Sequence, residues 1–139
     1  MVRINLINPK KLADQHLIAE YSEILILVAN AKKYPNSKIP KKYCLGIGHI
    51  CFFKDKIIYL KNRHELLRKE MKKRGFKTNK QVLLKGFNKN QLNNWKPKKE
   101  DINIIKKRII YKISLKPKYY RYYKIKRSQQ FLKNLIKSA

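Results

Sequence analysis

Hydrophobic residues recur at helical spacing near the N-terminus of the chain. Between Ala13 and Ala31 an apolar side chain returns every three or four positions, which predicts a helix with one face in the core. A neighbouring stripe of the same helix carries the ionisable residues His16, Glu20 and Glu23. Lys32 and Lys33 end the helix before the loop that follows. The first helix therefore presents chemically active side chains directly beside its buried face.

Three further stretches have helical spacing. One runs roughly from Ile57 to Arg74, and a second starts near Pro97 and closes at Pro117. A weaker pattern lies in the tail, at Phe131, Leu132, Leu135 and Ile136. Residues 77–96 are polar and rich in asparagine, which predicts a long connection. With no internal repeat or low-complexity linker, these patterns predict a single, mainly helical domain.

The segment Tyr43–Phe53 is ambiguous. Its sequence, YCLGIGHICFF, contains an apolar run that fits a buried strand. Gly46 and Gly48 weaken a strand and a helix alike. The pattern of residues leaves both interpretations open.

The charge of the chain points to a polyanionic partner. Lys and Arg number 36 against eight Asp and Glu, a net charge of +28. Self-repulsion of this size destabilises a compact state, and DNA or RNA phosphates relieve it. An anionic membrane fits less well, because the longest apolar run, Ile24–Ala31, is far shorter than the ~18 residues of a span. The N-terminus lacks a signal-peptide pattern, so we expect an intracellular protein (cytoplasmic, associated with the nucleoid through DNA) and no membrane partner.

Metal chemistry is not indicated. Cys44 and Cys51 lack the CxxC spacing of a zinc site, so reduced core thiols and no metal are expected. His49 and His64 are each expected to be structural or surface histidines rather than ligands. Gly46 and Gly48 alone do not make a nucleotide-binding fingerprint.

Two clusters suggest other chemistry. Three of the eight acidic residues, Asp14, Glu20 and Glu23, lie within ten positions, although solvated acids on an ordinary helix explain this about as well as a catalytic role does. The segment Tyr119–Arg127, YYRYYKIKR, interleaves four tyrosines with lysines and arginines. Such a segment suits stacking on exposed bases together with phosphate contacts. We expect part of this cluster to pack on the helices and part to face a nucleic acid.

The order and spacing of several segments resemble one known family, the pyrimidine-dimer DNA glycosylases of the phage endonuclease V type. The matching positions are Arg3–Leu6, Leu12–Glu23, Leu45–Lys56, Lys73–Phe76, Arg108, Lys112, Pro117 and Tyr119–Tyr123. The resemblance implies an all-α, compact single domain of three main helices with long loops, here residues 1–127. It also implies an N-terminal segment that threads between helices, and no sheet, so Tyr43–Phe53 would not be a strand. Residues 128–139 extend beyond the family pattern, and we expect them to form a short helix.

The same resemblance implies an activity. It is the removal of the glycosyl bond of a UV-induced cyclobutane pyrimidine dimer, followed by strand cleavage through β-elimination. The partner is double-stranded DNA containing a lesion, and the enzyme acts as a monomer with no cofactor. The nucleophile would be the α-amine of Val2 after removal of Met1, and the essential carboxylate would be Glu23. The DNA-binding residues would be Arg3, Gln15, His16, Tyr21, Arg108, Lys112, Tyr119 and Tyr120. Asp14 and Glu20 then become structural, with Asp14 as a cap of the first helix.

This chain departs from the family pattern beside Glu23. The family usually has a basic residue immediately before this acid and another three positions after it, where this chain has Ser22 and Ile26. An abasic-site lyase, or a glycosylase for another damaged base, is therefore the main alternative among enzymes. A non-enzymatic basic nucleic-acid-binding protein is the alternative outside enzymes, since it explains the charge but not the combination of Arg3, Gln15, His16 and Glu23.

Overall fold

The computed structural model describes residues 3–139. They form five α-helices, one two-stranded antiparallel hairpin and two short 3-10 helices, at Pro9–Lys11 and Lys89–Gln91. The helices are α1 (Asp14–Lys33), α2 (Gly48–Phe52), α3 (Ile57–Lys73), α4 (Lys99–Leu115) and α5 (Gln129–Lys137). The hairpin strands are β1 (Arg121–Tyr122) and β2 (Ile125–Lys126), paired as Arg121 with Lys126 and Tyr122 with Ile125.

The mainly helical fold class is confirmed, with five helices where three main ones were expected. The three longest, α1, α3 and α4, lie where the apolar spacing predicts them, and α5 is the predicted tail helix. The interpretation of Tyr43–Phe53 against a strand is also confirmed, since α2 begins at Gly48 within it. At Gly48 itself a Cβ atom would lie 2.7 Å from the sulfur of Cys44 and 3.3 Å from Cγ of Pro40, so a larger residue here would force these side chains to move.

The expectation that the domain has no sheet is wrong. The tyrosine cluster folds into the β1–β2 hairpin, whose turn residues Tyr123 and Lys124 have positive φ angles of 52° and 66°. That conformation strains residues with a Cβ atom. The carboxylate of Asp14 offsets the strain because it accepts hydrogen bonds from the backbone N–H groups of Tyr123 (3.1 Å) and Lys124 (2.7 Å).

The hydrophobic core lies between α1 and α3, and it extends across α4 to α5. Fully buried side chains of α1, α3 and α4 include Leu17, Ile24, Leu60, Leu67, Ile105 and Ile109. The tail helix contributes Leu132 and Ile136 to the same core. Residues 128–139 therefore pack onto α4. No helix within residues 3–139 combines the length and hydrophobicity needed to cross a membrane.

The N-terminal segment, residues 3–7, is buried along its whole length. Arg63 of α3 donates to the carbonyl oxygen of Ile7, while His49 of α2 accepts from the N–H of Ile4. Between these anchors Leu6 has a φ angle of 60°, a strained conformation for a branched residue. Hydrogen bonds on both sides of Leu6 thus hold the segment in one path against the helices.

Candidate active site

Helix α1 carries the ionisable stripe that the sequence predicts. His16 and Glu23 are seven residues apart, about two turns, and so lie on the same face of the helix. Burial raises the pKa of the partly buried Glu23 carboxyl, and the charge of Arg3 opposes that rise. The same Arg3 charge acts on the ring of His49 and on the guanidinium of Arg108. The positive charge of Arg3 therefore acts on each of these three side chains.

Helix α4 brings Arg108 and Lys112 close to His16. The pKa of His16 is lowered to about 4 by burial and then by the charges of Arg108 and Lys112. Burial and the neighbouring Arg3 also lower the pKa of Arg108. His16 is consequently neutral at physiological pH, and it lies in a region of positive potential on the same face of α1 as Glu23. Such a region attracts phosphates.

The tyrosine cluster completes this region, but its rings have different environments. The ring of Tyr120 is buried and lies 4.6 Å from the ring of His16, whereas Tyr119 is 51% exposed. Gln15 fixes this segment, because its side-chain amide donates to the carbonyl of Tyr119 (2.9 Å) and accepts from the N–H of Arg121 (3.0 Å). The ring of Tyr119 is thus accessible for stacking on a base, whereas the side-chain amide of Gln15 binds the protein backbone.

Tyr21 lies apart from this group. Its hydroxyl donates to the carbonyl of Lys80 (3.2 Å) and accepts from the N–H of the same residue (2.9 Å). Its ring stacks on His64 at 4.5 Å. Tyr21 therefore holds the connection after α3, and its contact with DNA stays a prediction.

The other two acids of the N-terminal cluster are engaged in buried ion pairs. Glu20, which is fully buried, binds Arg63 through two hydrogen bonds of 2.7 and 3.1 Å. Asp14 binds Arg74 at 2.9 Å and also holds the hairpin turn. The expected capping of α1 by Asp14 is wrong, because the N-cap position is Ala13 and the carboxylate binds N–H groups more than 100 residues away. Within residues 3–139, Glu23 is the one acid of the three that forms no buried ion pair with an arginine of α3 or its C-cap, and the charge of Arg3 acts on it.

Arg74 joins the hairpin to the rest of the domain. It donates to Asp14, Glu70 and the carbonyl of Leu12, and its guanidinium lies 4.7 Å from the ring centroids of both Tyr122 and Tyr123. These two rings therefore stack on a buried cation of the protein. Within the cluster, Tyr119 remains the exposed ring.

Sequence reasoning did not identify two residues next to the N-terminal segment. His49 accepts a hydrogen bond from the N–H of Ile4 (3.0 Å), and Tyr43 donates one to the carbonyl of the same residue (3.1 Å). The expectation that His49 is structural fits this contact. The segment Tyr43–Phe53 is so apolar that its periodicity gives no sign of a polar contact, and only the GxGH sequence hints at a special backbone.

We expect the free energy of unfolding to fall as the pH is lowered from about 6.5 towards 4. Folding lowers the pKa values of both His16 and His49 to about 4, mainly through burial. The unfolded chain therefore takes up protons first, and the stability that the neutral rings contribute is present above pH 6.5 and is lost as the pH falls. The loss is roughly 2–3 kcal/mol for each ring, at about 1.4 kcal/mol per tenfold change in proton affinity.

Urea unfolding at pH 7.5, 6.0 and 5.0 measures this dependence. A His16→Gln variant serves as the control, since it lacks one of the titrating rings and its stability should change less over the same range. Equal unfolding midpoints for the native chain at pH 7.5 and 5.0 would contradict the prediction.

A family model described as pyrimidine dimer DNA glycosylase matches residues 1–84. The matched part contains Arg3, Glu23 and the whole of α1, α2 and α3, whereas Arg108, Lys112 and the tyrosine cluster lie beyond it. The predicted nucleophile, Val2, falls within the match but outside the described residues of the structure.

Proposed function

The chain belongs to the pyrimidine dimer DNA glycosylase family, and from that membership we propose that it cleaves the glycosyl bond of UV-induced pyrimidine dimers and then nicks the strand as a lyase. The observation that carries the proposal is the convergence of Glu23 with Arg3, His16, Arg108 and Lys112 in one basic region. A carboxylate with a raised pKa among phosphate-binding cations suits acid–base chemistry on a nucleic acid.

The proposed nucleophile is the α-amine of Val2 after removal of Met1. An α-amine has a pKa of roughly 7.7–8.0, so a sizeable fraction is already neutral near physiological pH. Nearby cations disfavour its protonated form and increase that fraction. The positive charge contributed by Arg3 and Arg108 is therefore an activating feature as well as a means of binding phosphate. Nucleophilic catalysis by such an amine replaces one difficult displacement with two easier steps.

In the first step the amine nitrogen forms a bond to C1′ of the sugar as the bond between C1′ and the pyrimidine nitrogen breaks. The base leaves with the bonding electron pair and takes up a proton. The bond from C1′ to O4′ then breaks as the nitrogen lone pair forms the C=N bond, and a proton from the amine passes to O4′, which gives a ring-opened imine at C1′. Removal of a proton from C2′ then expels the 3′ phosphate, which cuts the strand.

Glu23 has two proposed roles in this sequence. As a carboxylate it stabilises the positive charge that develops at the sugar in the first step. Its raised pKa then makes it a better proton carrier during ring opening and elimination than an ordinary glutamate. The DNA is held meanwhile by Arg3, Arg108 and Lys112 at phosphates, and by the exposed ring of Tyr119 against a base.

A trapping experiment tests the proposal. Duplexes that contain a single cyclobutane dimer, a single abasic site or no lesion are incubated with the protein and borohydride, which reduces an imine to a stable amine. We expect a covalent adduct with the dimer and abasic duplexes, and intact-mass analysis should show a chain that begins at Val2. The matched control is the same protein with its α-amine acetylated, which should form no adduct. An adduct from the acetylated protein would exclude the α-amine as nucleophile.

A narrower activity on abasic sites or another damaged base is the second candidate. It is favoured by the side chains that flank Glu23 on α1, where Ser22 is exposed and Ile26 is 59% exposed. Neither provides a cation to bind the phosphates at a dimer. An adduct with the abasic duplex and none with the dimer would support this candidate, whereas no adduct with either would favour a non-enzymatic DNA-binding protein.

A further inference from the structure

The backbone of Ile4 is held on both sides of its Cα atom. Its N–H donates to Nε2 of His49 at 3.0 Å, and its carbonyl oxygen accepts from the hydroxyl of Tyr43 at 3.1 Å. Ile4 and His49 are fully buried, and Tyr43 is 4% exposed. Water therefore does not compete for these hydrogen bonds, and the two side chains form a clamp on the backbone of the N-terminal segment.

The chemistry of His49 suits this role. Since Nε2 accepts from Ile4, the proton of the neutral ring lies on Nδ1, which donates to the carbonyl of Cys44 at 3.0 Å. Burial lowers the pKa of His49 to about 4, and the charges of Arg3 and Arg108 act in the same direction. The ring is thus kept in the one protonation state and tautomer that can accept this hydrogen bond at physiological pH.

Tyr43 is equally well defined. Burial raises the pKa of its hydroxyl, so the group stays protonated and donates. Its ring packs edge-on against His49, with centroids 5.5 Å apart, and against Phe52 at 5.9 Å. The two halves of the clamp therefore support each other within one aromatic cluster, and neither ring can rotate away without disturbing the core.

The clamp acts on the segment that leads to the proposed nucleophile. Ile4 is two residues from Val2. At ~3.3–3.6 Å per residue, the chain between the α-amine and the backbone nitrogen of Ile4 spans at most about 7 Å. The strained φ angle of Leu6 and the bond from Arg63 to Ile7 fix the other side of the same segment. A displacement of about 1 Å at a reacting atom can lower a rate by about 100-fold.

We propose that His49 and Tyr43 are positioning residues. By holding the backbone of Ile4, they position the N-terminal amine. The inference rests on the proposed function, since it assigns these side chains to the same amine. It predicts that loss of one clamp hydrogen bond lowers the rate of imine formation while DNA binding is retained.

The test compares matched hydroxyl deletions within one aromatic cluster. Tyr43→Phe removes the clamp donor and keeps the ring. Tyr59→Phe is the control. The ring of Tyr59 stacks on Phe53, and its hydroxyl forms no hydrogen bond with residues 3–7. At saturating dimer duplex we expect the single-turnover rate of adduct formation to fall 10- to 100-fold for Tyr43→Phe, with the DNA dissociation constant within about twofold. Tyr59→Phe should change neither quantity.

A second pair of variants examines His49. His49→Phe keeps a ring but has no acceptor, and His49→Gln restores an acceptor. We expect the rate to fall in the first and to recover in part in the second. Hydrogen exchange of the Ile4 amide, measured without DNA, should be faster in His49→Phe than in His49→Gln. The amides of α1 should keep their protection in both variants.

The outcomes separate the inference from the function on which it rests. If the native chain forms no adduct, the proposed function fails, whatever the exchange data show. If the native chain forms an adduct and Tyr43→Phe and His49→Phe form it at the native rate, the positioning role is wrong. Equal losses of rate in Tyr43→Phe and Tyr59→Phe would also overturn it, because the effect would then belong to the cluster as a whole.

Discussion

Replacement of Glu23 by glutamine is expected to lower the rate of glycosyl-bond cleavage and of strand nicking by about 100- to 10,000-fold, the usual contribution of a positioned acid–base group. Glutamine keeps the shape and hydrogen-bonding capacity of the side chain but neither carries a negative charge nor exchanges a proton. It therefore removes both the stabilisation of the positive sugar and the proton transfer. The measurement is single-turnover cleavage of a dimer-containing duplex, with borohydride trapping alongside.

The matched control is Glu65→Gln. Glu65 lies on α3 in a partly exposed pair with Arg68, at 2.9 Å, so the control alters the net charge by the same amount away from the site. A general increase in DNA affinity would appear in both variants, whereas the loss of rate should appear only at Glu23. A native rate for Glu23→Gln would exclude Glu23 from the chemistry.

The stability of the Glu23→Gln variant distinguishes lost chemistry from misfolding. Folding raises the pKa of Glu23, mainly through burial, so the contribution of this group to stability is greatest below its unfolded pKa and is lost as the pH rises through the folded value. An uncharged glutamine escapes that loss. We therefore expect a melting temperature at pH 7.5 that is equal to or above that of the native chain, with no gain at pH 4. An inactive variant of undiminished stability is the signature of a functional residue.

The parts of the fold that follow from local periodicity could be predicted from the sequence. Helices α1, α3 and α4 end within a few residues of the predicted positions, because Pro97, Pro117 and the apolar spacing act locally. The hairpin could not be predicted, since Tyr123 and Lys124 accept positive φ angles only with a carboxylate 109 and 110 residues away to hold their N–H groups. No local pattern contains that information.

The buried ion pairs could not be predicted from the sequence for a related reason. Arg63 lies within α3 and Arg74 directly follows it, in a stretch rich in lysine and arginine where every cation resembles a solvated one. They differ from the others only in their distant partners, Glu20 and Asp14, which lie 43 and 60 residues away. Glu23 could be singled out through the family resemblance, whereas the clamp residue His49 could not, because its partner is a backbone N–H rather than a side chain.

The acidic cluster gives the second large prediction, which concerns Glu20. Substitution Glu20→Gln is expected to lower the free energy of unfolding by about 3–5 kcal/mol, because it leaves the guanidinium of Arg63 buried without its counter-charge. The two side chains are 0% and 4% exposed and their atoms are 2.7 Å apart, so water does not replace the lost partner. Arg63 also holds the carbonyl of Ile7, so the N-terminal segment is expected to loosen with it. Urea unfolding at pH 7.5 measures the change.

Two controls make this prediction specific. The double variant Glu20→Gln with Arg63→Met removes the orphaned charge, and it should be more stable than Glu20→Gln alone. At the partly exposed pair, Glu65→Gln should cost less than about 1 kcal/mol. A loss of less than 1 kcal/mol in Glu20→Gln would mean that the buried pair contributes no more than a surface one. Because Glu20 and Glu23 are three residues apart on one helix, opposite outcomes at the two positions would show that one acid of the cluster maintains the fold and the other performs the chemistry.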